Sequence, residues 1–441
     1  MKAKHKNRVP EEGRVDVSVE TSPVSNHEAS VLNESGVKAA GFRVSRILWL
    51  PAVVLLVLVG VLILRARQAN RPTESADSTH RMPLAQGAWG NLEVVPIVIE
   101  PPDEFIFISQ QMSHPSGWTF TGYTPAGLAD FLGSIGLTQA AGDWLMNKQN
   151  WEIGTGQIFI RPPASVILDL GEQARRKLYE ALALCGGNPL HENPLSFRKD
   201  SEADWFRAPG LSKATIALAK SLIFPRGNAW CLSDWPLVLQ QMESQEERRR
   251  FLEVTGRQPT VLLRLKLGQR SNVDKLVDYW GRGGRNKDIR PLLHSLTQVS
   301  GGVALDVVHL LPRFARARIY NYPYPVEKGS QAVTPNCFWS AMNFFNDRPD
   351  DELVDPSHMR ARLERDFFGV EEPSRLGDVI LLSRSDGTLV HAAVFIAADV
   401  VWTKNGASHT QPWIFARMED LAASYPSDSP LVMRAYRRKD L

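Results

Sequence analysis

The sequence predicts an α+β chain with an N-terminal single transmembrane helix, a mainly helical middle domain and a C-terminal domain in which a helix packs on a small antiparallel sheet. Three observations lead there. Residues 47–64 form an apolar run without a charge, helical patterns dominate from about Thr124 to Arg318, and the composition turns to strands after Arg375. At 441 residues the chain has room for two or three domains, each able to bury a core. A net charge of +3 over that length carries no information about partners.

Residues 1–42 are polar, with scattered charge and little periodicity, which predicts a disordered cytoplasmic tail. The run "ILWLPAVVLLVLVGVLIL" would extend roughly 27 Å as a helix, close to the hydrocarbon thickness of a bilayer. Arg43 and Arg46 flank it on one side, Arg65 and Arg67 on the other, so the helix is assigned to 43–67. The long polar stretch before it and the sequence Arg65-Ala66-Arg67 after it argue against a cleaved signal peptide. A linker occupies 68–90. Next, "NLEVVPIVIE" and "FIFIS" read as two short strands around "PPDE", with Pro96 placing the first at an edge.

These strands open a domain over 91–325 that is otherwise read as helical. "GEQARRKLYEALALC" puts Leu178, Leu182 and Cys185 on one face, "LSKATIALAKSLIF" has Ser212 as its cap, and "SDWPLVLQQMESQEERRRFLEV" starts with a proline in its first turn. "DIRPLLHSLTQV" and "ALDVVHLLPRFARARIY" complete the series. The basic loop "GRGGRNK" is read as a glycine turn between helices, and no nucleic-acid partner is expected.

The last domain, 326–441, carries the chemistry. Three cysteines are too few for a disulfide scaffold, although Cys185 and Cys231 could pair. Most lone cysteines are inert packing. Cys337 stands apart because Pro335-Asn336 is a helix-start signal that places it at the first helical position. There the positive end of the helix dipole would favour thiolate over thiol. A nucleophile needs a base. "DVILL" and "LVHAAVFIA" are strands joined by a turn around Ser385-Asp386-Gly387, and His391 shares a face with Ala393 and Phe395, opposite Val390, Ala392, Val394 and Ile396. A Cys337–His391 pair follows as a candidate. The acidic segment "NDRPDDELVDPSH" lies between the two as a solvated connection. The ten histidines form no His-x-x-x-His or Cys-x-x-Cys spacing, so neither a metal nor another cofactor is expected.

Asn336-Cys337-Phe338-Trp339, Gly377-Asp378-Val379-Ile380 and His391-Ala392-Ala393-Val394-Phe395 stand in an order that resembles the NlpC-type, papain-like cell-wall cysteine peptidases. Their pattern is Asp-Cys-Ser-Gly on a helix, Gly-Asp-Leu on the next strand and His-Val-Gly on the one after. The resemblance covers about a quarter of the chain, and bulky Phe338-Trp339 replaces the small Ser-Gly. It implies Cys337 as nucleophile, His391 as general base, and a backbone N–H at Cys337 in the oxyanion hole. It also implies a third polar residue about a dozen positions past the histidine. Thr403 falls at that offset, and Asn405 is placed slightly ahead of it for its chemistry, with Lys404 pointing away.

The expected function is then a membrane-anchored cysteine peptidase or amidase acting outside the cytoplasm on peptidoglycan peptide stems through a thioacyl enzyme. The expected location is the bacterial inner membrane, single-pass, with the later domains extracytoplasmic. A cell-wall peptide or protein would be its substrate. The alternative is a membrane-anchored, non-catalytic scaffold or peptide-binding protein with a degenerate papain-like domain.

Overall fold

The computed structural model describes residues 82–107, 117–207, 210–326, 332–427 and 429–441. The expected transmembrane run, 47–64, lies outside these. Among the described residues no helix is long and apolar enough to cross a membrane, and the fold class is corrected to α+β without that helix.

In the middle of the chain helices cover more residues than strands. Its helices alternate with strands that build two three-stranded sheets and most of a four-stranded one. Strand β1 (Asn91–Ile99) runs antiparallel to β2 (Gln258–Leu267), with Asn91 opposite Lys266 and Ile99 opposite Gln258, and β3 (Val303–Asp306) pairs with the other edge of β2. The segment "QPTVLLRLKL" is a strand because Val261, Leu263, Leu265 and Leu267 alternate into the core. The expected hairpin between "NLEVVPIVIE" and "FIFIS" is replaced by this long-range pairing, and Asp103–Phe105 is a single 3-10 turn. "ALDVVHLLPRFARARIY" is likewise no helix: it divides into β3, a 3-10 turn over Val307–Leu310 and one helical turn at Arg313–Arg316.

Local capping behaves as side-chain chemistry dictates. Ser212 accepts from Thr215 N–H at the start of Lys213–Leu222. The stretch from Ser233 breaks into Trp235–Gln240 and Gln245–Thr255, the second capped by Ser244. The basic loop is a turn, and Arg285 donates to the carbonyls of Trp280, Arg282 and Leu310.

The C-terminal part is a helix on a six-stranded antiparallel sheet. Helix α1 (Cys337–Met342) precedes β4 (Phe367–Val370), β5 (Val379–Ser383), β6 (Leu389–Ala397), β7 (Val400–Lys404), β8 (Trp413–Arg417), α2 (Met418–Ser424) and β9 (Val432–Arg438). Spatial order is β4-β9-β5-β6-β7-β8. Alternation along β6 and β7 sorts the side chains. Ala392, Val394, Ile396, Val400 and Trp402 join the core that contains α1, and Ala393, Phe395 and Val401 join a second core on the outer face with Leu421 of α2.

The inner core does not stop at residue 326. It runs from Leu92 and Val94 through Leu263, Leu265 and Phe314 to Trp339, Val394 and Trp402. Hydrogen bonds tie the two parts: Thr260 Oγ1 donates to Phe415 O at 2.7 Å, Tyr279 Oη to Ile396 O at 2.6 Å, and Tyr320 N–H to Trp413 O at 2.7 Å.

Candidate functional site

Helix α1 begins where its capping residue puts it. Asn336 Oδ1 accepts from Trp339 N–H at 2.9 Å, and its amide donates to Val354 O at 2.8 Å, so both ends of one side chain fix the entry of the helix. Cys337 is the first helical residue. Two turns of contacts hold the helix down: Ser340 Oγ accepts from Trp413 Nε1 at 2.9 Å, and Trp339 Nε1 donates to Asp351 at 3.0 Å. Trp339 packs on Phe314 rather than beside the thiol alone.

The Gly-Asp pair before β5 is structural. Gly377 has φ +93°, and a Cβ there would lie 2.1 Å from the Phe345 ring, so only glycine fits. Asp378, fully buried, accepts from Ser374 and Arg375 N–H and takes two bonds from Arg437 of β9, at 2.8 and 2.7 Å. It pins β9 beside β5.

The Cys337 sulfur meets the start of β6. The β6–β7 ladder ends at Val394 opposite Trp402. Two residues earlier, the Ala392 amide lies near enough to Sγ to favour the thiolate. The amides of Phe338 and Cys337 itself also point at the sulfur. Burial dominates these favourable amides and pushes the thiol up to about 11. The thiolate-favouring dipole expected from the sequence is outweighed because α1 has only six residues and its first is 5% exposed.

His391 follows on the outer face of β6, with no exposure at all. Its Nε2 lies 2.7 Å from Thr403 Oγ1, and its Nδ1 has no hydrogen-bond partner, Cys337 included. Burial holds the imidazole down to about 3, so it is neutral at physiological pH. The Tyr425 ring lies over it, 4.4 Å between centroids and tilted by 31°. Among the described residues no hydrogen bond joins the thiol to the imidazole, and the Tyr425 that lies over His391 also feels the charge of Cys337.

Of the two residues weighed as third member, Thr403 is the one the structure brings to His391. Asn405 falls past the end of β7, where alternation no longer aims it, and its amide reaches Ser424 Oγ at 3.5 Å. Lys404 points away from His391 as expected, but that direction is towards α1. It is completely buried, donates to Gly406 O and Ser408 O at 2.9 Å each, and sits 5.8 Å from the Trp413 ring. Sequence reasoning missed it, although the alternation that excluded it from the His391 face assigns it to the thiol face.

Beyond Tyr425 lies a groove of about 1510 Å³ between the outer face of the sheet and the middle region. Tyr425, Asn405 and Ser424 line it from one side and Leu195, Phe197 and Arg198 from the other, whereas Cys337, His391 and Thr403 do not reach it. No disulfide joins Cys185, Cys231 or Cys337, so the pair that the sequence allowed is not bridged. Among the described residues no group of three or more His, Cys, Asp or Glu side chains is placed to hold a metal ion. Comparison of the chain with protein-family models, with curated proteins and with solved structures finds no match.

Proposed function

We propose that this chain is a cysteine hydrolase, a peptidase or amidase in which Cys337 forms a thioester with the acyl part of a cleaved amide. The observation that carries the reading is the seat of the sulfur: first residue of a capped helix, with three backbone amides near enough to favour its thiolate, in a core beside β6, which carries a buried His391 held by Thr403. Amides converging on Sγ favour the charge that develops there when its proton leaves. Once a substrate carbonyl replaces the sulfur as acceptor, the same amides serve the oxyanion.

Peptidoglycan peptide stems are the substrate class that the resemblance of the three motifs suggests, and they are the first to test. The full chain is incubated with purified wall peptides and released fragments are read by mass spectrometry. Fragments that disappear with Cys337→Ala, and fall at least about tenfold with His391→Ala, support the reading.

A second reading has an observation of its own. Cys337 and His391 are 5% and 0% exposed, and a site so closed suits a non-catalytic protein that keeps the architecture alone. No fragments from any wall peptide, together with unchanged properties of Cys337→Ala, would favour it.

A further inference from the structure

One buried cation on the wall of the groove has no counter-ion. The strand Ala229–Leu232 runs between Leu195–Arg198 and Phe224–Arg226, and its register sets both Arg198 and Arg226 directly opposite Ala229. Residues directly opposite one another share a face of an antiparallel sheet, so the two arginines leave the same face on either side of a methyl group. Both line the groove of about 1510 Å³. Arg198 is fully engaged. It bonds Asp200, holds Glu419 at 2.7 Å and Asp420 at 3.0 Å, and so ties α2 to this sheet. Arg226 is 8% exposed and forms no ion pair among the described residues. Its hydrogen bonding is one contact from Nη1 to His191 O at 3.3 Å, and its Nε has no partner. Of the other arginines along the groove, Arg257 holds Glu100, Arg417 holds Asp399 and Arg384 is exposed. A buried charge left without a partner is costly, and an anion from outside would remove that cost.

We propose that Arg226 is the anion seat of the groove and receives a carboxylate of a bound peptide. The proposal deepens the hydrolase reading and rests on it in one respect, that the peptide in the groove is the one presented to Cys337.

The seat adjoins the cover of the buried histidine. Gly227 lies so close to Ser427 that a Cβ on it would sit 2.5 Å from Ser427 O, and Ser427 is two residues past Tyr425, whose ring lies over His391. The charge and shape of the seat choose the anion. A planar guanidinium fits a carboxylate through two parallel N–H···O bonds, and one positive charge balances one negative. A dianionic phosphate would bring a further charge into a groove where Asp200, Glu419 and Asp420 already share one guanidinium. Leu190, Leu195, Trp205 and Trp235 line the same groove and suit the apolar body of a peptide.

The test reads the seat without turnover. Full-length Cys337→Ala carrying isotopically labelled arginine is titrated with acetyl-leucyl-alanine, which ends in a carboxylate, and with its C-terminal amide. The Nε resonance of Arg226, assigned by its loss in Arg226→Lys, should move to saturation with the carboxylate and stay in place with the amide. Calorimetry should show the carboxylate binding at least about tenfold more tightly than the amide. Arg226→Gln should remove that preference, and Arg226→Lys, which keeps the charge without the fork, should restore it only in part. Acetate should displace the peptide better than inorganic phosphate at equal ionic strength. No movement of the Arg226 resonance with the carboxylate, an equal movement with the amide, a preference retained by Arg226→Gln, or better displacement by phosphate overturns the proposal. Should the glutamine variant not fold, the resonance in the chain that keeps Arg226 decides alone. The two readings fail separately. A carboxylate preference in binding with no fragments from wall peptides keeps the seat and removes the hydrolase. Fragments released equally from wall peptides and from the same peptides amidated at their carboxyls keep the hydrolase and remove the seat.

Discussion

Among the described residues Thr403 supplies the only hydrogen bond to the His391 ring, and burial makes that bond expensive to lose. Thr403→Val keeps the shape and removes the hydroxyl, leaving Nε2 unsatisfied in a dry site. Urea denaturation should show a loss of about 1–3 kcal/mol, largely recovered by Thr403→Ser. Asp378→Asn strikes harder, since Arg437 loses its carboxylate partner at a site that is 1% exposed on the aspartate side. A loss of about 3 kcal/mol or more is expected in the same measurement. The aspartate and histidine of the two motifs therefore differ in kind: one is a charged clamp between strands, the other a neutral buried ring held by one hydroxyl.

At the scale of elements, the turn before β5 and the start of α1 set where the sulfur goes. Gly377→Ala combines a left-handed backbone with a Cβ driven into the Phe345 ring, so it should destabilise by about 2 kcal/mol or more. Phe345→Ala in the same chain should recover the steric part, giving a favourable coupling in a double-mutant cycle. These elements were legible in the sequence because their signals are local: Asn336 capping α1, the turn at Ser385 to Gly387, and the alternation of β6. Thr403 was legible only as an offset from His391, and Asn405 looked better because amide chemistry was weighed without the end of β7. The strand Gln258–Leu267 was hidden because its partner is Asn91–Ile99, a pairing that local periodicity cannot report. Its alternation was present but sat within a run of helical patterns.

For the molecule as a whole, the inner core predicts that residues 326–441 do not fold alone. Cutting there exposes Trp339, Trp402 and Phe415, and removes the bonds from Thr260, Tyr279 and Tyr320, so circular dichroism of that fragment should show no cooperative melt. The pH dependence of stability has a definite sign. His391 and His191 are both held down to about 3 by burial, against 6.5 when unfolded. Between those values the unfolded chain binds more protons, so their contribution to stability is full above 6.5 and is lost as pH falls towards 3. Burial raises Asp234 from 3.8 to about 6, so within that narrower window the native state binds the extra proton and opposes part of the trend. Denaturant midpoints should fall from pH 6.5 downwards, and His391→Gln should make the fall shallower. All of this describes a stable scaffold around one sulfur, and the claim about that sulfur has a direct measurement. Full-length protein mixed with wall peptides and quenched in acid within seconds should carry an acyl group on Cys337, found by peptide mapping and absent from Cys185 and Cys231. Fragments released while no acyl group is found on Cys337, or equal release by Cys337→Ala, would contradict it.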